Sequence, residues 1–399
     1  MRAWIRTKNA SYQVDMNPIP PIRVCHIVTR LAVRGVPRQV LELAEGLDRA
    51  RFQVRVLTGH SESCEGDLWD EARDRGIDVT RIEALRRPIH PTRDGFALAQ
   101  LYRYLRSHPC DIVHTHIAKA GLLGRMAARL AKVPFVLHTY HGTPNEWIGD
   151  GTSARLFRGI ERRAAAKTDR LIAVSEAVRR EMSAMGIGSA SRWCVIRNGI
   201  SPIFSSEPFP SPTQRNRAQL LAVGSLTEEK GYDVVLRALP TIVSSHPDVE
   251  LVFIGDGPLK ASLQALANDL NVASHVRFIG VVADVRPWLR KATLLVAPSL
   301  SEGLGMAVVE AMAMECPVVA SRVGGLVEVV VHGETGFLVE AGRVPLLAQQ
   351  VVELLSSPEE RVRLGANGSR HVQVNFTRDR SIAQLQELYE TLYRESSKR

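Results

Sequence analysis

The sequence predicts two α/β domains in tandem, each a doubly wound, Rossmann-like sheet, with a ligand cleft between them. Three observations predict it. Short β-rich runs alternate with helical stretches of about 10–15 residues along the whole chain, the pattern of parallel sheets covered by helices on both faces. The alternation stops once, at 198–218, where "NGISPIFSSEPFPSPTQRNRA" is rich in Ser and Pro and lacks periodicity, as an inter-domain linker does. It then restarts and runs to a final helix. At 399 residues, with 45% hydrophobic and 23% charged content, the chain is long enough for two ordinary globular domains.

The elements follow in order. Residues 1–20 contain basic residues but lead into no apolar segment, so they read as a loose, disordered polar tail and not as a secretory signal. The N-terminal domain, 21–200, opens with the strand "IRVCHIVT" (22–29). The helix "PRQVLELAEGL" (37–47) follows, with Val40, Leu41, Leu43, Ala44 and Leu47 on one face. Further strands are expected at 52–59, 111–116, 134–142 and 169–175, with helical stretches between them. A linker, 201–218, leads to the C-terminal domain, 219–375. Strands are expected there at 219–225, 249–257, 276–280, 293–299 and 316–321, with an extended piece at 335–340. The closing helix, "RSIAQLQELYETLYRESS", lies in 376–399. Ligands of such sheets bind beyond the carboxyl ends of the strands, which points to the inter-domain cleft.

Composition narrows the function. No apolar run approaches the ~18 residues of a membrane span. The five cysteines (Cys25, Cys64, Cys110, Cys194, Cys316) are scattered and form no C-x-x-C, which argues for a reducing, cytoplasmic setting and against a disulfide framework or thiolate metal site. Residues 1–200 hold 32 Lys/Arg against 20 Asp/Glu, the remainder 19 against 22. One domain therefore faces something anionic, or simply carries solvated basic helix faces. No helix-turn-helix, zinc-finger or RRM signature is present, so nucleic acid is not the expected partner. A phosphate-bearing substrate or an anionic membrane surface remains. "GLLGRMAARLAK" (121–132) sets Arg125, Arg129 and Lys132 among Leu, Met and Ala, as a helix resting on anionic lipid would; ordinary packing of an amphipathic helix is the competing reading.

The chemistry concentrates at "SEGLGMAVVEAMA" (301–313). Glu302 and two glycines, Gly303 and Gly305, follow the strand "TLLVAPS" and lead into an apolar run whose only ionisable residue is Glu310. Glycines let backbone N–H groups approach an anion, and the helix beginning near Gly305 adds the positive end of its dipole. Glu302 and Glu310 lie about 2.2 helical turns apart, so both can address one ligand. A carboxylate suits a vicinal diol such as ribose. The bland alternative pairs Glu310 with a buried Arg and makes Glu302 a cap. "GSLTEEKGYD" (224–233) places Gly224, Ser225 and Lys230 after a second strand, where an ammonium can neutralise a leaving diphosphate. "FIGDGPL" (253–259) adds Gly255 and Gly257 after a third, without the third glycine of a dinucleotide fingerprint.

These stretches, with "CPVVASRVGGLVEVVVHGETGFLV" after them, resemble the C-terminal domain of the retaining GT-B glycosyltransferases of bacterial polysaccharide and glycolipid assembly. The match runs from about Gly224 to Val339 and rests chiefly on the E-x7-E element. In the N-terminal half, "RGVPRQVLELAEGL", "HTHIAKAGLLGRMAARLAKVPFVLHTYHG" and "VIRNGIS" are similar to the family more loosely, and the middle stretch is most like enzymes that use UDP-linked sugars.

The resemblance implies roles. Glu310 would hold the ribose hydroxyls. Glu302, with the backbone of Gly303, Leu304, Gly305 and Met306, would hold the donor sugar. Lys230 would contact the diphosphate, Gly35 would close over it, His141 would sit beside the donor sugar near the reacting centre, and the final helix in 376–399 would pack back on the N-terminal domain. His114 and His116 are weaker candidates, with core packing as the alternative. The family commonly has Arg where Ser225 stands, and Arg34 is the residue that could restore the missing charge. The chain has no D-x-D, so no metal or other cofactor is expected, and activity should survive EDTA. The implied reaction moves a hexose or N-acetylhexosamine from a nucleotide diphosphate sugar to a lipid-linked or polysaccharide hydroxyl, keeping the anomeric configuration by front-face displacement. A nucleotide-sugar epimerase or hydrolase, or a non-catalytic binder, are the alternatives.

Overall fold

The computed structural model describes residues 20–62, 66–144, 151–204 and 218–396. The N-terminal domain contains β1 (Ile22–Arg30), α1 (Gly35–Gly46), β2 (Phe52–Gly59), α2 (Trp69–Asp74), β3 (Asp78–Arg81), α3 (Pro91–Ser107) and β4 (Ile112–His116). It continues with α4 (Ala118–Leu130), β5 (Phe135–Tyr140), α5 (Thr152–Ala166), β6 (Arg170–Ala173), α6 (Glu176–Ala184) and β7 (Trp193–Val195). The C-terminal domain comprises β8 (Gln219–Val223), α7 (Tyr232–Ser245), β9 (Glu250–Ile254), α8 (Lys260–Asp269), β10 (Val276–Gly280), α9 (Arg286–Lys291) and β11 (Leu294–Ala297). It ends with α10 (Met306–Ala313), β12 (Val318–Ser321), α11 (Leu326–Val329), β13 (Phe337–Val339), α12 (Val344–Ser356) and α13 (Pro358–Asn375), before α14 (Arg378–Ser396).

The strands form two parallel sheets, ordered β3-β2-β1-β4-β5-β6-β7 and β10-β9-β8-β11-β12-β13. The order reverses between β1 and β4 in one sheet and between β8 and β11 in the other. Those switch points open crevices at the strands' carboxyl ends. Strands covered on both faces read as continuous apolar runs, and Val24, Cys25, Ile27 and Val28 of β1 are all buried. The α1 stripe Val40, Leu41, Leu43, Ala44 and Leu47 is buried as its spacing requires.

The differences from expectation have local causes. β3 and β7 are edge strands, and a sequence such as "DVTR" offers no apolar run to notice. β9 stops at Ile254 because Gly255 turns the chain with φ +133°, a region that favours glycine. The tail is expected at 1–20 and the linker at 201–218; residues 1–19 of the one and 205–217 of the other lie outside the described residues.

Of the two readings of 121–132, Arg125 follows ordinary packing and does not face lipid. Its guanidinium is buried and forms a bidentate pair with Glu161 of α5, at 2.7 Å on both arms. A buried carboxylate on α5 needs a cation, and α4 supplies it from its inward face. Arg129 is held by Asp169 at 2.7 Å. No helix among the described residues is long and apolar enough to cross a membrane.

After α13 the chain returns to the N-terminal domain. Ile382, Leu385, Tyr389 and Leu392 of α14 pack with Ile22, Val24, Phe52 and Ile112 in one core.

Candidate active site

On the C-terminal side, three loops at the carboxyl ends of β8, β9 and β11 interlock through their backbones. Gly224 N donates to the Ile254 carbonyl at 2.9 Å, Leu226 N to Asp256 at 3.1 Å, and Leu300 N to Glu229 at 2.8 Å. The packing is too tight for side chains. A Cβ on Gly255 would overlap the Gly224 carbonyl, and one on Gly257 the Leu226 carbonyl. Gly255 and Gly257 thus have a steric reason to be glycine within the domain itself.

The β11 loop carries Glu302. Its Oε2 accepts from Lys230 Nζ at 2.6 Å and from Ser299 Oγ at 3.2 Å. Lys230 ends a single 3-10 turn, so its ammonium is held in place by a carboxylate that a diphosphate could displace. The chain then passes Gly305, at φ +94°, into α10, whose N-terminus has no side-chain cap. Because α10 starts at Met306, the step from Glu302 to Glu310 is part loop, and the count of helical turns does not apply between them. Leu304 is buried and anchors the loop.

Glu310 lies among Val308, Val309, Ala311 and Met312, all buried. Burial pushes its carboxyl pKa up to about 7, with the positive charge of Arg38 opposing the shift. Among the described residues it has no ion-pair partner, so the structural alternative, a locked Glu–Arg pair, is not what the side chain makes.

The N-terminal domain meets the C-terminal side through Arg34, His141, Ser175 and Arg38. Arg34, just before α1, donates from Nη1 to Ser225 Oγ at 2.8 Å, so a guanidinium stands at the position where the sequence lacks one. Gly35 has open space where a Cβ would project. His141 follows β5 and packs on Gly303 so closely that a Cβ there would overlap the His141 carbonyl. Ser175 Oγ donates to the Gly303 carbonyl at 2.6 Å. Arg38 spans the cleft to the Ala283 carbonyl at 3.1 Å.

His114 and His116 lie in the core of β4 and do not reach the cleft. With His26 they form a buried group whose ring nitrogens fall within 4.8 Å of one another. His26, Arg38, Ser175, Ser299 and Tyr389 went unnoticed in the sequence. The signal for His26 is a lone ring in an apolar strand, and only the β1/β4 pairing brings it opposite His114.

Comparison with known proteins gives the geometry a context. Residues 34–199 match the glycosyl transferase 4-like domain, and residues 204–371 match glycosyl transferases group 1. A phosphatidyl-myo-inositol mannosyltransferase of Mycobacterium leprae is 31% identical over 91% of this chain and 95% of its own length. The Escherichia coli UDP-Gal:alpha-D-GlcNAc-diphosphoundecaprenol alpha-1,3-galactosyltransferase is 27% identical over 92% and 96%. The crystal structure of Anabaena HepE in complex with UDP and glucose superposes with a TM-score of 0.78 at 20% identity, covering 93% of this chain and all of that one.

Proposed function

The chain belongs to the group 1 glycosyl transferases, and from that premise we propose a retaining transfer of a hexose or N-acetylhexosamine, from a UDP-linked donor to a lipid-linked or polysaccharide hydroxyl. The observation that carries this reading is the convergence, across one cleft, of Lys230 on Glu302, Arg34 on Ser225, and Glu310, which has no ion-pair partner among the described residues. A UDP-sugar is preferred because the names of the E. coli relative and of the HepE complex both carry UDP. A lipid-linked acceptor is preferred because the E. coli and M. leprae relatives are named for diphosphoundecaprenol and phosphatidylinositol. Nucleic acid is not expected to take part, and the reaction is assigned to the cytoplasmic side.

In this reading Glu310 accepts from the ribose hydroxyls, and Glu302 with the amides of Gly303 to Met306 holds the sugar. Arg34 and Lys230 take the diphosphate oxygens once Lys230 leaves Glu302. The acceptor oxygen bonds to the anomeric carbon as the bond to the β-phosphate oxygen breaks on the same face. The leaving phosphate takes the acceptor's proton. Two cations and the dipole of α10 stabilise the departing charge, so no metal is called for. Contact between the lobes excludes water.

The test is turnover of a UDP-hexose panel with undecaprenyl-diphosphate-sugar and phosphatidylinositol acceptors, reading product configuration by NMR, with and without EDTA. An α-linked product from an α-linked donor, unaffected by EDTA, is expected. Arg34→Ala should raise the donor KM about tenfold, as loss of one charged hydrogen bond does, and adding Ser225→Arg should recover most of it. Release of an altered free sugar as the main outcome would show hydrolysis or epimerisation instead.

A further inference from the structure

Beneath His141 lies a buried, hydrogen-bonded stack to which the reaction above assigns nothing. His141 Nε2 is 3.2 Å from His116 Nδ1, and His116 Nε2 is 3.0 Å from His26 Nδ1. His26 Nε2 is 3.5 Å from the Tyr389 hydroxyl, which is 2.6 Å from His114 Nδ1. His114 Nε2 ends the series 2.6 Å from Thr139 Oγ1. The fold explains the assembly. His26 and His114 are register partners on β1 and β4, and Thr139 is opposite His116 on β5. Residues 114 and 116 share one face of β4, and Tyr389 arrives from α14. Immediately after His116 the chain bends through Ile117 at φ +65°, a costly conformation for a β-branched residue that marks the strand end as constrained.

Burial keeps the rings neutral. It lowers the pKa of His26 to about 3 and that of His141 to about 4, and it sets His114 and His116 well below the ordinary value. A neutral imidazole carries one N–H and one bare nitrogen, so each ring passes the direction on; it could reverse only at Tyr389, by accepting from both neighbours and stranding its own buried O–H. Running from His141 toward Thr139, the protons leave the Thr139 hydroxyl proton unmatched deep in the sheet, where no ligand can reach it. Running from Thr139 toward His141, they use every donor except the Nδ1–H of His141. That nitrogen is buried and lacks a partner among the described residues. A stranded buried donor costs about 1–3 kcal/mol. Only the second direction leaves the unmatched proton on His141, the residue of the series whose backbone meets Gly303 at the cleft, where a ligand oxygen can relieve it.

We propose that His116 and His26, backed by Tyr389 of the C-terminal helix, are positioning residues that hold His141 as its Nδ1-protonated tautomer, an N–H donor to an oxygen of the bound nucleotide sugar. The ligand's identity rests on the donor-site reading; the tautomer does not. A metal held by His26, His114 and His116 is the competing use of these nitrogens. Their chemistry disfavours it. The 3.0 Å separation of His26 and His116 is a hydrogen-bond distance, tighter than the roughly 3.3 Å that tetrahedral zinc at 2.0–2.1 Å imposes. No carboxylate among the described residues acts on these rings, so a dication would be buried without an anion.

The test uses the full chain labelled with 15N-histidine and long-range 1H–15N spectra at neutral pH, with the His141 signals identified from their loss in His141→Gln. The expected spectrum has a protonated Nδ1 and a bare Nε2. Tyr389→Phe, which removes one oxygen and keeps the packing, should mix the His141 tautomers with unchanged circular dichroism. In the same variant kcat should fall about tenfold, the worth of one hydrogen bond, while the donor KM stays within about twofold. A wild-type His141 protonated on Nε2 overturns the proposal. So does mixing of tautomers with an undiminished kcat. Stoichiometric zinc in the purified protein, lost in His26→Gln, overturns it in favour of a metal site. If the tautomer is as expected but no sugar is transferred, the donor-site reading fails and the relay stands.

Discussion

Glu310 illustrates how one side chain couples binding to pH. Its pKa in the folded protein, about 7, lies above the ordinary 4.5 because burial penalises the charged form. Below about pH 7 the neutral acid is therefore the favoured state of the unliganded protein. The stability this confers is fully present below about pH 4.5 and is lost as pH rises through about 7, amounting to about 3 kcal/mol. Urea unfolding of the unliganded protein should thus give a stability that falls between pH 5.5 and pH 8, and Glu310→Gln should remove most of that fall. Hydroxyl donors reverse the preference by stabilising the carboxylate. Affinity for a UDP-sugar, which does not itself titrate in this range, should rise through pH 7 in the wild type and stay flat in Glu310→Gln. Identical pH slopes for the two proteins would remove Glu310 from the ligand. Glu302, Glu310, Lys230 and the glycines were legible in the sequence because each stands in a short strand–loop–helix segment with its own chemistry. Arg38, Ser175, His26 and Tyr389 were not. Arg38 stands one helical turn beyond Arg34, and only the fold shows that it spans the cleft; the other three reach the site from distant stretches, and nothing in their neighbours marks them.

At the scale of elements, periodicity read the buried strands and the edges of the C-terminal sheet, and missed β3 and β7 at the edges of the N-terminal one. β1 and β11 are apolar because both faces are covered, whereas β3 pairs only with β2 and carries Asp78 and Arg81. The same blindness to context left α4 open between lipid and packing, since an Arg on a helix looks alike whether it faces lipid, water or a partner. The Arg125–Glu161 pair joins α4 to α5, and both side chains are almost fully excluded from solvent, at 3% and 4% exposure. Tyr140 also donates to Glu161, which ties β5 into the same contact. Removing one partner leaves the other charge buried and uncompensated, so Arg125→Ala should cost about 3–5 kcal/mol in urea unfolding. The double replacement Arg125→Met with Glu161→Leu keeps volume without charge and should recover most of the loss. A single-variant cost below about 1 kcal/mol, the range of exposed pairs, would mean that the pair is open to water.

For the whole molecule, what matters is that the two lobes are joined at one place by two chain crossings. Ile200 N donates to the Phe376 carbonyl at 2.7 Å, and Arg378 N donates to the Ile200 carbonyl at 3.0 Å, forming a short parallel bridge. Ser381 Oγ donates to the Arg197 carbonyl at 2.5 Å, and Gln39 of α1 donates to the Gly199 carbonyl at 3.2 Å. The bridge therefore sits against the same helix that Arg34 precedes. It was half legible: the break in periodicity located the first crossing, but nothing local showed that the chain returns beside it. Gly199 is the vulnerable position, because a Cβ there would run into the backbone of Thr377 and Arg378. Backbone cannot rotate aside as a side chain can, so Gly199→Ala should part the crossings and lower stability by about 1–3 kcal/mol. It should also weaken UDP-sugar binding, because Arg34 and Ser225 meet only while the lobes keep their present spacing. Gly95→Ala is the control: Gly95 lies in α3 with open space around it, and there the added methyl should leave stability equal or up to about 1 kcal/mol higher. If Gly199→Ala unfolds at the wild-type urea midpoint and binds donor normally, the crossings do not set the lobe spacing. The alignment of Arg34 with Ser225 would then depend on direct contacts such as Ser175 with Gly303.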